Sequence, residues 1–258
     1  MPLDIHVADR IATITLNRPE AMNALDYPMR RAIQDLWRRI DDDADIHVAI
    51  ITGAGPRAFC AGADLKNTPP PATSFAAETF GEGIDGSLTA GQSTAKPLIS
   101  AINGAAYGGG LEIALACDIR IASDNARFAL SEARVGTIPG SGGSQRLPRV
   151  INESDAMLML LTGDPIDAAH ALRIGLVSQV VPLPELPAAA LAIARRIADN
   201  APLAVRAIKR LVRAGRDLPL AGALEMERLA WGTLRDTEDR LEGRAAFAEK
   251  RPPKYRGR

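Results

Sequence analysis

The sequence predicts an α/β body followed by an all-helical C-terminal region, and three observations predict it. Strand-length apolar runs alternate with helical periodicity up to about residue 187, an order that needs crossovers and so favours parallel pairing. Beyond Pro187 every segment reads as helix. At 258 residues and 47% hydrophobic, the chain can bury a full core, which excludes disordered, collagenous and disulfide-built classes. The expected division is 1–187 for the body and 188–258 for the helical region.

The elements follow in order. Residues 11–16 are β-rich and stop at Asn17-Arg18-Pro19, where proline ends a ladder. Met29, Ile33, Leu36, Trp37 and Ile40 recur at spacings of three and four, the stripe of a helix. Val48-Ala49-Ile50-Ile51-Thr52, closed by Gly53-Ala54-Gly55, reads as a strand buried on both faces. Strands are expected at 98–102 and 118–122, with a helix at 109–116 between them, then a short strand at 127–130. Helices at 154–161 and 167–174 follow, the second stopped by Gly175. The last strand falls at 177–181, and helices fill 188–200, 202–215, 220–235 and 239–250. Residues 67–95 fit neither class. They hold Pro69-Pro70-Pro71 and at most a short helix near 75–80, the profile of a lid-like or mobile loop.

Charge bounds the partners. Thirty-one Lys and Arg balance 31 Asp and Glu, which argues against binding nucleic acid by bulk charge. Arg206, Lys209, Arg210 and Arg213 share one helical face, and with no aromatic residues among them they read as a solvated face rather than an RNA site. No uninterrupted apolar run reaches the ~18 residues of a membrane span. The N-terminus is charged where a secretory signal would be apolar, and Cys60 and Cys117 read as reduced, buried residues. The expected setting is cytoplasmic, without membrane or nucleic-acid partners.

Familiar machinery is mostly missing. Gly81-Glu82-Gly83-Ile84-Asp85-Gly86 has the GxGxxG spacing but follows no strand. His6, His47 and His170 are scattered, with no metal-binding spacing. Two glycine-rich stretches remain, Phe59 to Lys66 and Asn103 to Glu112, each after an apolar strand. Gly108-Gly109-Gly110 open the expected helix, so their amides are unpaired donors at its positive end, and two converging amides make an oxyanion hole. The glycines could equally serve tight turns and close packing. Glu112 lies in the first turn of that otherwise apolar helix, either complementing its dipole or poised as an acid or base. Glu132 precedes another glycine-rich turn, Thr137 to Gly143, and is either a second such group or a partner for Arg134 or Arg146.

Together these residues resemble the crotonase, or enoyl-CoA hydratase/isomerase, superfamily. The likeness runs through Leu16-Asn17-Arg18-Pro19, Asn23-Ala24-Leu25, Ala61-Gly62-Ala63-Asp64-Leu65, Asn103-Gly104, Gly108-Gly109-Gly110, Cys117-Asp118, Gly136 to Gly140, Gly143, Gln145-Arg146, Leu161-Thr162-Gly163, Gly175-Leu176-Val177 and Phe247 to Arg251. It implies a crotonase-type spiral of ββα units, then a helical region used for trimers that commonly pair into hexamers. It implies an acyl-CoA substrate, with the N–H groups of Ala63 and Gly109 as oxyanion hole. Ala61, Ala63, Asp64, Leu65, Lys66 and Gly109 would line the CoA site, with Lys66 near phosphate. Phe247 and Lys250 match tail positions that approach CoA, in some members from a neighbouring subunit. Hydratases of the family carry both glutamates and many isomerases only the second. The implied activity is hydration of 2-trans-enoyl-CoA to 3-hydroxyacyl-CoA, with Glu112 activating water and Glu132 exchanging the α proton. Enoyl-CoA isomerisation and dehydration of a specialised hydroxyacyl-CoA are the alternatives at the same site, and an RNA-binding role is a distant one. No metal or redox cofactor is implied, and the basic tail is expected to contribute to phosphate recognition.

Overall fold

Alternation between two sheets organises the body in the structure, a computed structural model that describes residues 2–66, 88 and 94–258. Strands β1 (Leu3–Ala8) and β2 (Ile11–Leu16) form a hairpin in which Leu3 faces Leu16. Its turn residues Asp9 and Arg10 both have positive φ, 50° and 66°, the conformation a two-residue hairpin requires. Strand β1 has no hairpin signal in the sequence, because its turn, Asp9-Arg10, carries no glycine. Helix α1 (Tyr27–Asp42) begins where the Asp26 side chain accepts the Met29 N–H at 2.9 Å, and it buries the Met29, Ile33, Leu36, Trp37 and Ile40 stripe.

A long strand followed by a short one then recurs. Strand β3 (Val48–Gly53) leads to β4 (Ala58–Cys60); β5 (Leu98–Ile102) leads to β6 (Ala105–Tyr107) and helix α2 (Gly109–Ala116); β7 (Ile119–Ser123) leads to β8 (Arg127–Ala129). Next come α3 (Gly143–Val150), α4 (Glu153–Thr162), β9 (Ile166–Asp167), α5 (Ala168–Arg173) and β10 (Gln179–Val181). Among the described residues the larger sheet runs β1-β2-β3-β5-β7-β10, parallel from β2 onward, and the smaller runs β4-β6-β8-β9. Each β3-β4, β5-β6 and β7-β8 pair steps from one sheet to the other. This stepping is the spiral arrangement that the family resemblance implies.

Stepping between sheets leaves backbone groups without a ladder, and two asparagines satisfy them. Asn103 accepts the Gly53 N–H at 3.0 Å and donates to the carbonyls of Gly53, Gly55 and Ala58 at 2.9, 2.6 and 3.2 Å. Asn23 accepts the Arg18 N–H at 3.0 Å and donates to Ala54 O and Ala58 O at 3.0 and 2.8 Å. Both are buried.

Helix α6 (Leu186–Ala198) lies on the outer face of the larger sheet, where Leu186, Ala190, Ala194 and Ala198 meet Val48, Ile50, Ile99 and Ile121. The helical run thus begins as part of the body. Helix α7 (Pro202–Gly215) corrects the expected solvated face at Lys209 and Arg213, while Arg210 is exposed as expected. The Lys209 side chain is 6% exposed and Nζ sits 2.8 Å from Asp118, while Arg213 donates to Asp118 Oδ1 at 2.7 and 3.0 Å. These cations turn inward because a carboxylate and main-chain carbonyls await them.

Helix α8 (Leu220–Leu234) buries none of its residues in this chain, and Leu220, Leu224, Leu229 and Trp231 are exposed. The segment after α9 (Glu238–Ala248) folds back on it. Arg251 pairs with Glu242 and Glu249 at 2.6 Å each, Arg258 pairs with Glu238 at 2.9 Å, and Asp239 accepts the N–H groups of Arg256 and Gly257. Two of the tail's cations, Arg251 and Arg258, are therefore matched locally.

Candidate active site

The site starts where two glycine-rich strand ends touch. Leu25 N–H donates to Gly62 O at 2.8 Å and Asp64 N–H donates to Leu25 O at 3.2 Å, so Leu25 pairs in parallel with Ala63. In that register the Ala63 N–H points to the side opposite Leu25. Asp64 faces Arg18, 3.2 Å away, and Arg18 also contacts Asp26 and Ala24 O. The opening Asn17-Arg18-Pro19…Asn23-Ala24-Leu25 thus clamps the Ala61–Asp64 stretch, and the Asp64 side chain serves the clamp. Lys66 is exposed, as is Leu65 at 69%.

Helix α2 meets this stretch end-on. Gly108 N–H donates to Ala129 O at 2.9 Å, leaving Gly109 at the first turn, where amides have no helical partner. Glycine is required by space. A methyl on Gly62, whose φ is +89°, would lie 2.8 Å from Tyr107 O and 3.4 Å from Gly109 N; one on Gly110 would lie 2.1 Å from Cys60 O. Ala63 and Gly109 therefore present amides from adjoining backbone, beside the Leu25 and Leu88 side chains that a Cβ on Gly109 would strike at 2.9 and 3.2 Å.

The two glutamates stand in unlike surroundings. Glu112 is 3% exposed on α2, and its Oε1 accepts the N–H groups of Ser141 and Gly143 at 2.6 and 2.9 Å. Arg146 on α3 braces the same turn by donating to Ser141 O at 2.7 Å. The glycine-rich 137–143 segment is thus the cradle of Glu112, a role not evident from the sequence alone. Its signal was the pair Gly142-Gly143, since a Cβ on Gly143 would lie 3.2 Å from Glu112 Cγ.

Glu132 begins a short 3-10 turn, Glu132–Val135, and its Oε1 would lie 3.0 Å from a Cβ on Gly108. Its Oε2 is buried without a hydrogen-bond partner among the described residues. Arg134 pairs instead with Asp164, so the ion-pair alternative for Glu132 is not realised there. Burial pushes the Glu132 carboxyl above its ordinary range, and the negative charge of Glu112 acts in the same direction. One carboxylate is oriented by two amides and the other is desolvated and disposed to hold a proton. Such a pair can take a proton from water and give one to carbon.

Other sequence expectations resolve individually. Phe247, 88% exposed, borders a cavity of about 590 Å³ with Leu203, Leu234, Arg240 and Tyr255, and Lys250 follows α9 at φ +54°. Phe247 lies in α9 and Lys250 in the turn after it, and among the described residues no hydrogen bond joins either to the Ala61–Lys66 stretch. Cys60 and Cys117 are free and buried, and burial pushes each thiol up to about 12. The expected helix at 75–80, the GxGxxG stretch at 81–86 and most of the 67–95 loop lie outside the described residues. Among the described residues no helix is long and apolar enough to cross a membrane.

Two carboxylates beside backbone amides at a helix N-terminus are groups that can hold a developing oxyanion and move its protons. The family model described as Enoyl-CoA hydratase/isomerase matches residues 6–258. Among curated relatives, the chain is 49% identical to (E)-benzylidenesuccinyl-CoA hydratase of Thauera aromatica and 42% identical to carnitinyl-CoA dehydratase of Proteus mirabilis, covering 100% of each chain in both. Its structure is similar to the crystal structure of enoyl-CoA hydratase from Bacillus anthracis, with a TM-score of 0.93 and 39% identity over 100% of both chains. The chain belongs to the enoyl-CoA hydratase/isomerase family, within the crotonase superfamily.

Proposed function

We propose that this chain, an enoyl-CoA hydratase of its family, works by holding one water between Glu112 and Glu132 beside a thioester carbonyl bound at Ala63 and Gly109. Hydration of a 2-trans-enoyl-CoA forms a C–O bond at the β carbon while the π electrons move toward the carbonyl as an enolate. Glu112 accepts a proton from the water, and Glu132 delivers one to the α carbon. Proton return from Glu112 restores the pair, so atoms and charge balance without a redox or metal cofactor. The carrying observation is the asymmetry of the pair: Glu112 fixed by the Ser141 and Gly143 amides, Glu132 half-buried with its Oε2 atom enclosed and unpartnered among the described residues.

The named relatives support a hydro-lyase and suggest substrates to try. (E)-Benzylidenesuccinyl-CoA and crotonyl-CoA are the first two, the former for the 49% identical relative. The exposed large apolar residues of α8, Leu220, Leu224 and Trp231 on one face and Leu229 on the other, support a homo-oligomer, a trimer or a dimer of trimers, in which Phe247 and Lys250 approach the CoA of a neighbour. A cytoplasmic location is part of the same reading. The direct test is crotonyl-CoA hydration by Glu112→Gln and Glu132→Gln, both of which are expected to lose most activity. Near wild-type rates in both would overturn the proposal; loss in Glu132→Gln alone, with 3-enoyl-CoA isomerisation intact in Glu112→Gln, would favour an isomerase. Sedimentation of the purified protein tests the assembly, a single-chain mass being the contrary result.

A further inference from the structure

The inward cations of α7 converge on the far end of the helix that carries Gly109 and Glu112. Asp118, immediately beyond α2, accepts Leu98 N–H at 2.7 Å through Oδ2, lies 2.8 Å from Lys209 Nζ, and accepts Arg213 through Oδ1. Arg213 also donates to Ala116 O at 2.9 Å, and Arg120 donates to Cys117 O at 3.0 Å. Lys209 reaches on to Lys96 O at 2.6 Å, and Lys96 Nζ donates to the carbonyls of Ile40 and Asp43 at 2.6 Å. One connected cluster thus fastens α1, β5, α7 and the C-terminal end of α2.

The geometry points to a positioning role: Asp118, Lys209 and Arg213 fix α2 along its axis and so set where its first-turn amide and Glu112 stand. This rests on the reading of Ala63 and Gly109 as oxyanion donors. Helix α2 spans eight residues, from Gly109 to Ala116, so a shift at one end is carried to the other by a rod about 12 Å long. It has no slack laterally, because Gly110 already lies against Cys60 O. Motion along the axis is what the Ala116 carbonyl, held by Arg213, opposes. Ala116 O and Cys117 O are acceptors at the negative end of α2, which cations complement.

The test uses full-length Arg213→Gln, Arg213→Lys and Asp118→Asn, together with the double variant Asp118→Asn/Lys209→Met, which removes one charge of each sign and leaves no new lone charge at Lys209. Each is checked for folding by circular dichroism, then measured for crotonyl-CoA hydration and for the absorption red shift of bound p-dimethylaminocinnamoyl-CoA, which reports polarisation of the thioester carbonyl. Folded variants are expected to lose about tenfold to a hundredfold in kcat with KM nearly unchanged, and to show a smaller red shift; Arg213→Lys should retain more of both than Arg213→Gln. Wild-type kcat and red shift in folded variants overturn the positioning role, as does a change confined to KM. If every variant, the double included, unfolds, the cluster is a folding anchor and the proposal is equally overturned. A wild-type enzyme that induces no red shift would contradict the oxyanion reading itself, which separates the two failures.

Discussion

Replacing Gly110 by alanine tests the oxyanion geometry through a displacement fixed by the structure. The new methyl would stand 2.1 Å from Cys60 O and 2.8 Å from Cys60 C, whereas an unstrained carbon–oxygen contact is more than 3 Å. Backbone must move by roughly 1 Å, and it is backbone on both sides, so no side-chain rotation relieves it. Overpacking of this kind costs about 1–3 kcal/mol, which for a chain of this size lowers Tm by roughly 2–4 °C per kcal/mol. The larger effect is catalytic. Pushing α2 from β4 separates the Gly109 amide from that of Ala63, and losing one oxyanion donor costs about 10²–10³ in kcat. Stopped-flow or steady-state hydration of crotonyl-CoA, with thermal unfolding alongside, reads both. Adding Cys60→Ala trims only the thiol and should restore neither. Wild-type kcat in a folded Gly110→Ala protein would refute the claim that the closeness of β4 and α2 builds the hole.

Three further outcomes follow from the same contacts. The Glu132 carboxyl titrates above its unfolded value, so the native state binds more protons there and stability falls as pH rises through the raised value; Glu132→Gln should therefore raise Tm relative to wild type near pH 8, with the gain shrinking toward pH 4, and a gain independent of pH would contradict the burial argument. Asn103→Ala strands the buried N–H and carbonyl of Gly53, while Ala58 O keeps its Asn23 donor, at a cost of about 2 kcal/mol or more by urea unfolding. With thiol values of about 12, Cys60 and Cys117 should ignore a disulfide reagent near pH 8 until the protein is denatured, when two thiols should react.

Long periodic elements were legible in the sequence because their burial is written locally. The α1 stripe, the β3 run and the 109–116 helix all stand where their apolar pattern put them. Strands β4 and β6 were not legible, since three residues hold no period and their pairing partners are distant in sequence. The inward face of Lys209 and Arg213 misled for a related reason: cationic spacing cannot show that Asp118, 91 and 95 residues earlier, waits to receive them. At the site, both glutamates and the glycine stretches were recognisable through family likeness. The use of Ser141 and Gly143 amides to hold Glu112 was not, because backbone donors leave no residue-type signature beyond the bareness of the glycines.

The central claim is a division of labour, Glu112 toward water and Glu132 toward the α carbon. Exchange of the α proton of a saturated substrate analogue, butyryl-CoA, into D2O measures the second role without any hydration step. The account predicts that the wild-type enzyme exchanges it, that Glu112→Gln largely retains exchange while losing hydration, and that Glu132→Gln loses both. Retained exchange in Glu132→Gln, with exchange lost in Glu112→Gln, would contradict it.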